Sequence, residues 1–378
     1  MRRARRVNRK RSFVKTFAVM LVMVFTLSGV WQLVDIKRSV MAMRTSLHPT
    51  HYFIEKHLMN PNDTIATYVK EDTNEDSDFV KGREAISESL GLWMMYGIEV
   101  SDQALFDKSV QSLQIYFLDR SGMVYWRLDP LGQPNVSTNA LVDDLRILEA
   151  LHLGYEKWED TRYLELFQTI SDFMLSHNIK NGYFIDFYDE SYQLAADTIS
   201  LTYMNPVTLK RLSGRSDRGE CSNKNDSNYN KLQLMVPFTR YDTQQRSYEY
   251  SETVNLIDQT LIASNLNSVG VDTSDYVAFL RNEWERHGVV YGMYDAKTKE
   301  PTVSHESPAL YSLIVDYASS IGETEIATKA YERMIEFQNK HIVSPYYGGY
   351  SIGLAPGDQN SHSFDNLLPL LTEAKRGE

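Results

Sequence analysis

The sequence predicts an all-α domain built from paired helices. From residue 79 onward, helical periodicity recurs in segments of roughly 12 to 18 residues, and clusters of Gly, Pro, Asn and Asp separate them. Convincing strand patterns are scarce, and no repeat of fixed period is present. About a dozen helices in consecutive hairpins suit a toroid of inner and outer helices, although the same periodicity also fits a helical solenoid.

The individual elements follow from this periodicity. Helices are predicted at 82–97, 102–117, 138–155, 159–177, 192–203, 206–213, 228–236, 253–266, 273–286, 307–320, 323–339 and 362–375. The stretch GMVYWRLD (122–129) has the clearest strand pattern and predicts a hairpin beside a cleft. Residues 210–231 are poor in apolar side chains, so we interpret them as a long exposed loop within the domain.

The N-terminal part differs from the rest in charge and hydropathy. Residues 1–15 hold eight basic and no acidic side chains, and residues 16–34 (TFAVMLVMVFTLSGVWQLV) are apolar and close to the ~20 residues that span a bilayer. The positive flank predicts a cytoplasmic tail, an uncleaved single-pass membrane anchor and an extracellular remainder. Residues 35–78 are then a stalk, and 79–378 form the globular domain. Cleavage as a secretory signal, which would release the protein, is the alternative.

Composition narrows the range of partners. The chain carries −11 overall, so the residues after the basic tail carry −19. Such an acidic body argues against nucleic acid and anionic polymers, and it allows a neutral or cationic partner. The 24 tyrosines suit surfaces that meet sugars, but they suit core packing equally well. A single cysteine, Cys221, excludes an intrachain disulfide and favours a Gram-positive cell surface over a eukaryotic secretory route.

The chemistry-bearing residues are mainly acids. No phosphate loop, dinucleotide fingerprint, zinc spacing or nucleophile elbow is present, and His305 has the pattern of an ordinary loop residue, so we expect no cofactor and no metal. Glu88 lies in the apolar segment GREAISESLGLWMMYG, Asp143 and Asp144 begin an apolar helix, and Asp258 lies among apolar residues. Such half-buried acids, with no obvious basic partner in helical register, are costly unless they meet a ligand or hydrogen-bond donors.

These segments resemble glycoside hydrolase family 8, in the family's order. In REAISESLGLWMMYG, the residues Ser87, Glu88, Gly91 and Tyr96-Gly97 match the helix that carries the family's general acid. DRSGMVYWRLDPLGQPNVSTNALVDDLRILEAL is similar to the family's next stretch, with Trp126 on its tryptophan and Asp144 on its second, sugar-contacting aspartate. Further matches are Tyr203 and Pro206 of ISLTYMNPVTLKRL, Pro237 of LQLMVPFTRYD and Asp258 of LIDQTLI.

The resemblance implies an (α/α)6 barrel and an inverting hydrolase. One carboxylic acid, Glu88, would protonate the leaving oxygen, and a second carboxylate, Asp258, would activate water on the opposite face. Asp144 is the third predicted catalytic residue. The predicted substrate-binding residues are Trp126, Arg127, Asp143, Tyr183 and Tyr203. Three acids remain alternatives for the general base: Asp242, Glu252 and Glu306.

The leading functional hypothesis is a membrane-anchored endoglycosidase that cleaves a β-linked cell-surface or exopolysaccharide. We also expect contact with exopolysaccharide synthesis machinery and none with nucleic acid. A catalytically weak polysaccharide-binding barrel that assists export or biofilm matrix assembly is the alternative. A polysaccharide lyase on a similar toroid is a third hypothesis. The negative charge of the domain argues against it, because lyases act on anionic uronic polymers.

Overall fold

The computed structural model describes residues 48–71, 80–213, 238–351 and 361–377. The predicted basic tail, the membrane anchor, residues 35–47 and 72–78 of the predicted stalk, Cys221, Pro237, residues 214–231 of the predicted loop and the predicted helix 228–236 lie outside these ranges. Within them, no helix is both long enough and apolar enough to cross a membrane.

Eleven α-helices make up just under half of the described residues. They are α1 (Pro49–Phe53), α2 (Ser87–Glu99), α3 (Gln103–Ser112), α4 (Leu141–Trp158), α5 (Thr161–His177), α6 (Pro206–Ser213), α7 (Leu256–Ser268), α8 (Ser274–His287), α9 (Pro308–Ser320), α10 (Thr324–Glu336) and α11 (Phe364–Arg376). Side-chain caps start several of them: Asp102 accepts from the N–H of Leu105 before α3, and Ser307 accepts from that of Leu310 before α9.

Six of these helices form a closed inner ring. Each packs on the next in the order α2, α4, α6, α7, α9 and α11, and α11 packs back on α2. The helices α1, α3, α5, α8 and α10 lie outside this ring, so the described helices alternate between outer and inner positions, except that α6 and α7 are both inner. Closure of the ring excludes an open solenoid and gives the (α/α)6 architecture.

Within the described ranges, eleven short strands connect the helices, more than the sequence predicts. They are β1 (Ala85–Ile86), β2 (Arg127–Leu128), β3 (Ile179–Lys180), β4 (Tyr183–Phe184), β5 (Tyr188–Asp189), β6 (Leu194–Ala195), β7 (Thr198–Ser200), β8 (Phe238–Asp242), β9 (Ser247–Tyr250), β10 (Thr253–Asn255) and β11 (Met293–Asp295). The pairs β1–β2, β3–β4, β5–β6 and β10–β11 and the sheet β7–β8–β9 are all antiparallel.

Two predicted elements differ from the structure. Residues 122–129 do not fold into their own hairpin: β2 pairs with β1, which attaches the Trp126 segment to the start of α2. The predicted helix at 192–203 is wrong, because this stretch contains β6, β7 and a 3₁₀ turn at Leu201–Tyr203. The buried carboxylate of Asp186 accepts from the backbone N–H of Ser200 and from the hydroxyls of Thr198 and Ser200, and these bonds hold β7 extended.

Candidate active site

The N-terminal ends of the inner helices meet at one end of the barrel. Ser87 of α2 donates to Asp143 of α4 over 2.7 Å, and Ser307 before α9 donates to Asp365 of α11 over 2.7 Å. The hydroxyls of Ser89 and Ser363 lie 2.8 Å apart and join α2 to α11. Because helix N-termini carry free N–H groups and partial positive charge, this end favours carboxylates.

Glu88 occupies the first turn of α2, with its side chain 25% exposed. One carboxylate oxygen lies 3.7 Å from a guanidinium nitrogen of Arg146. Burial raises the pKa of Glu88 to about 7; Arg146 opposes this shift, whereas the charges of Asp143 and Asp365 add to it. A carboxyl group that is surrounded by protein yet open at its tip therefore keeps its proton near neutral pH.

Asp143 lies beside Glu88 and is buried. Its carboxylate accepts from the Ser87 hydroxyl, from the backbone N–H of Glu88 and from Arg146, whose nitrogen is 3.3 Å away. Burial raises the pKa of Asp143, and all these donors act against that rise. Since Asp143 has more donors than Glu88, we assign the negative charge of the pair to Asp143 and the proton to Glu88. In this way, a carboxylate of α4 caps the start of α2.

Asp144 is completely buried and engages a different set of groups. Its Oδ2 accepts from the Asn139 amide over 2.6 Å, and Asn139 in turn bonds to Asn178 and to the backbone N–H of Tyr188. Its Oδ1 has no hydrogen-bond partner among the described residues. Burial raises the pKa of Asp144 well above its usual value. These bonds tie the start of α4 to β5 and not to Glu88.

Asp258 occupies the first turn of α7 and lines an open cavity of about 540 Å³. Tyr203, Arg240, Glu249, Tyr250 and Gln259 also line this cavity. Within the described ranges, no side chain forms a hydrogen bond or ion pair with its carboxylate. Burial alone raises the pKa of Asp258. By its solvent-accessible surface Asp258 is exposed, so its carboxylate is open to a ligand or a water molecule in the cavity.

Tyr203 relates the two acids to each other. It ends the 3₁₀ turn before α6 and lines the cavity beside Asp258. Burial raises its pKa to about 12, and the carboxylates of Asp143, Asp258 and Glu88 contribute to this rise. Tyr203 therefore lies within electrostatic reach of both candidate catalytic acids, which the sequence separates by 170 positions.

The other predicted sugar-contacting residues lie near the start of α2 or beside β8. The indole N–H of Trp126 donates to Thr138 over 2.9 Å, and its backbone carbonyl accepts from the N–H of Ser87. The buried guanidinium of Arg127 lies 4.9 Å from the Trp126 ring and 4.0 Å from the carboxylate of Glu84. On β4, the ring of Tyr183 lies 5.3 Å from that of Tyr241.

The three alternative bases have other surroundings. Asp242 accepts from the N–H groups of Gln244 and Gln245 in the β8–β9 turn. The side chain of Glu252 is exposed. Glu306 accepts two hydrogen bonds from Arg333 and one from the Tyr311 hydroxyl. Within the described residues, one carboxylate oxygen of Asp242 and both oxygens of Glu306 accept hydrogen bonds from the protein, whereas those of Asp258 do not.

Sequence reasoning missed several residues of this site. The expectation that the acids lack a basic partner is wrong for Glu88 and Asp143, because Arg146 contacts both. Its spacing of three from Asp143 is the signal that identifies it, since such residues share a helix face. Asp365 was detectable as a first-turn acid of the predicted helix 362–375, but nothing local indicates its proximity to Glu88. No group of three or more His, Cys, Asp or Glu in the described part of the chain is arranged to hold a metal ion.

Comparison with known proteins agrees with this geometry. A profile described as "Glycosyl hydrolases family 8" matches residues 68–183. A curated relative, the putative lipoprotein YdaJ of Bacillus subtilis (strain 168), is 35% identical over 334 residues, covering 87% of either chain.

Three solved structures share the fold. A protein described as a novel alpha-amylase from Clostridium perfringens has a TM-score of 0.78 and 27% identity, over 87% of this chain and 96% of its own. PssZ from Listeria monocytogenes has a TM-score of 0.70 and 24% identity, over 87% and 97%. Endoglucanase Cel10 of Klebsiella pneumoniae, a family 8 glycosyl hydrolase, has a TM-score of 0.60 and 15% identity, over 86% and 98%.

The fold and the paired acids define a polysaccharide-hydrolase barrel. The chain belongs to glycoside hydrolase family 8. Membership implies a glycoside hydrolase that inverts the anomeric centre and acts on a polysaccharide, as the resemblance in the sequence indicates.

Proposed function

We propose that this protein is an inverting endo-glycoside hydrolase that cleaves a β-linked cell-surface or exopolysaccharide, with Glu88 as general acid and Asp258 as general base. One observation carries the proposal: two acids at the same end of the barrel have opposite surroundings. Glu88 is held among acids and favours its proton, with a pKa of about 7, whereas Asp258 faces an open cavity and has no hydrogen-bond partner in the described part of the chain.

The proposed reaction proceeds in one displacement. Glu88 gives its proton to the glycosidic oxygen as the bond to the anomeric carbon breaks. Asp258 takes a proton from a water molecule that attacks the same carbon from the opposite face, so the products gain one water in total. Inverting enzymes leave about 6.5–9.5 Å between the two carboxyl groups to admit that water. Tyr203, which lines the cavity beside Asp258, is the proposed contact for the sugar between the two acids.

The remaining site residues have supporting roles in this proposal. Trp126, Tyr183 and Tyr203 present aromatic faces for sugar rings, and Arg127 and Asp143 provide polar contacts. Asp144, predicted among the catalytic residues, is fully buried, so we assign it a positioning role through Asn139 and the start of α4.

The first test is the release of reducing ends from the producing organism's own exopolysaccharide. Glu88→Gln and Asp258→Asn should each lower kcat by a factor on the order of 10³, since general acid–base catalysis supplies about 10²–10⁴. Two matched controls should keep wild-type rates: Glu99→Gln, an exposed acid on the same helix, and Asp275→Asn, an exposed first-turn acid of α8. Anomeric ¹H NMR should show the inverted product first.

The outcomes separate the alternatives. Binding of the polymer without any shortening favours the catalytically weak polysaccharide-binding barrel. Full activity of Asp258→Asn contradicts the base assignment, and retention of configuration contradicts the mechanism.

An α-linked glucan is a second candidate substrate, because the relative at 27% identity is described as an alpha-amylase. Soluble starch and carboxymethyl cellulose, assayed in parallel with the exopolysaccharide, distinguish the two linkages. If reducing ends are released from starch alone and Glu88→Gln abolishes this release, the substrate is α-linked and the proposed catalytic pair is unchanged.

We also propose that the catalytic domain acts outside the cell, anchored through residues 16–34. The apolar sequence of this segment and the description of the Bacillus relative as a putative lipoprotein support a cell-surface location. Membrane fractionation and protease treatment of intact cells provide the test. Digestion of the domain on intact cells is expected, and recovery from the culture medium of a protein that lacks the N-terminal segment would favour cleavage and secretion.

A further inference from the structure

A single arginine bridges the two acids at the start of α2 and α4. Arg146 lies on α4, with its side chain 17% exposed, and one guanidinium nitrogen is 3.3 Å from Asp143 and 3.7 Å from Glu88. Such a half-buried bridge has a defined geometry, unlike exposed ion pairs whose partners are solvated.

The neighbouring helix leaves room for this side chain. Gly91 follows Glu88 on α2 by three positions, and a Cβ atom built on it would lie 3.1 Å from both Cγ and Cδ of Arg146. That spacing is tighter than ordinary van der Waals contact, so a larger residue at 91 would push against the arginine stem. The glycine therefore lets α2 approach α4 while the guanidinium still reaches Glu88.

The charges around Glu88 make this arginine significant. From α4 it faces Arg146 and Asp143, from α11 it faces Asp365, and from the turn before α6 it faces Tyr203. Asp365 accepts from the Ser307 hydroxyl and the N–H of Ala309, which hold it at the start of α9. Among these groups Arg146 contributes the positive charge, which opposes the effect of the neighbouring carboxylates on the pKa of Glu88.

We propose that Arg146 is a positioning residue: it holds the carboxyl group of Glu88 toward the cleft, and its charge decides up to which pH the general acid keeps its proton. The inference rests on the proposed function, in which Glu88 protonates the leaving oxygen. After that transfer, Arg146 stabilises the carboxylate that remains on Glu88, and the proton lost to the leaving group is regained from solvent before the next cycle.

The test is a pair of substitutions that remove opposite charges. The alkaline limb of kcat/KM reports deprotonation of the general acid in the free enzyme. Arg146→Met removes a cation, so Glu88 should hold its proton longer and the limb should move up by about one pH unit. Asp143→Asn removes an anion, so the limb should move down by about as much. Arg146→Lys should return the limb toward the wild-type position.

A matched control separates this role from a structural one. Arg333 is similarly buried and pairs with Glu306 away from α2 and α4. Arg333→Met should lower the Tm without moving the alkaline limb. Gly91→Ala keeps every charge but presses on the Arg146 stem, and it should lower kcat more than it changes KM.

A second measurement does not depend on turnover. The ¹³C signal of the Glu88 carboxyl, identified by its loss in Glu88→Gln, should titrate at higher pH in Arg146→Met and at lower pH in Asp143→Asn. The inference would be overturned if Arg146→Met and Asp143→Asn moved the alkaline limb and the Glu88 titration in the same direction, or did not move them. An enzyme that cleaves no polysaccharide but shows the opposite titration shifts would instead refute the proposed function and leave the role of Arg146 intact.

Discussion

The two sides of the cleft place the same chemical group in contrasting surroundings. On the α2–α4–α11 side, Glu88 is held by Arg146 and lies next to Asp143 and Asp365. On the α7 side, Asp258 faces a cavity, and burial is the cause of its raised pKa. Both carboxyls are partly desolvated, but only Glu88 also feels nearby negative charge.

This difference shows how one fold divides two acids between two roles. Clustered carboxylates favour the protonated form of one member, which suits a proton donor. An acid that is isolated from other acids loses its proton at lower pH and, lacking protein donors, keeps its oxygens free for water. The following predictions test whether the contrast has the functional meaning that we assign to it.

The largest expected effect appears with a substrate that requires the general base but hardly requires the general acid. An aryl glycoside with a good leaving group needs little protonation, so Glu88→Ala should keep much of its activity on that substrate while losing a factor on the order of 10³ on the polysaccharide. Asp258→Ala should lose this factor on both substrates, because water must still be activated.

Product release measured on both substrates checks this prediction. Equal losses of activity on the two substrates for both variants would mean that Glu88 and Asp258 do not have separate roles as acid and base. Recovery of Asp258→Ala by added azide, with formation of a glycosyl azide, would identify the missing group as the base.

The pH profile should reflect the same contrast. Since Glu88 acts when protonated and its pKa is about 7, kcat/KM should fall tenfold per pH unit above that value. Since Asp258 acts when ionised and burial raises its pKa, the acidic limb should lie above the usual range of an aspartate. Initial rates between pH 4 and 9 provide the measurement. A rate that still rises between pH 7 and 9 would contradict the assignment of Glu88.

The sequence predicts most of the helices, including those on the α2–α4–α11 side of the cleft. The apolar helical periodicity fixes α2, α4, α9 and α11, and the order of motifs predicts the barrel. The strands of residues 194–200 escape prediction because their extended form depends on Asp186, whose bonds to β7 join positions 12 to 14 residues apart.

The site is harder to predict than the fold, because its geometry depends on contacts between helices. Arg146 and Asp143 share a helix and are predictable as neighbours. The approach of Asp365 to Glu88 requires closure of the ring through α11, which no local pattern encodes. Glu84 falls inside the predicted helix 82–97 but precedes α2 in the structure, where it accepts from Asn135 and from the backbone N–H of Lys81.

The surroundings of Glu88 should also carry a cost in stability. The unfolded chain ionises Glu88 near its ordinary pKa of 4.5, whereas the folded protein holds the proton up to about pH 7. The folded state therefore loses stability as the pH rises from 4.5 to 7, and above 7 this loss is complete. Glu88→Gln should accordingly be more stable than the wild type at pH 8, by about 1–3 kcal/mol, with no gain near pH 4.

Denaturant unfolding of the two proteins at pH 4 and pH 8 gives the comparison. Glu99→Gln, at the exposed end of the same helix, should show no pH-dependent difference from wild type. A Glu88→Gln variant that is less stable than wild type at pH 8 would mean that the Arg146 ion pair outweighs desolvation.

The smallest expected effect concerns Asp242, the alternative base on the β8–β9 turn. Its Oδ1 accepts from the N–H groups of Gln244 and Gln245 over 2.8 and 2.6 Å, and an asparagine keeps that oxygen. Asp242→Asn should therefore leave kcat/KM within about twofold of wild type, whereas the isosteric Asp258→Asn removes the proposed base. Assays of both variants on the same polysaccharide decide between them. A loss above tenfold in Asp242→Asn, with Asp258→Asn active, would move the base from α7 to the turn. The isolation of Asp258 would then require another explanation, such as binding of a sugar hydroxyl.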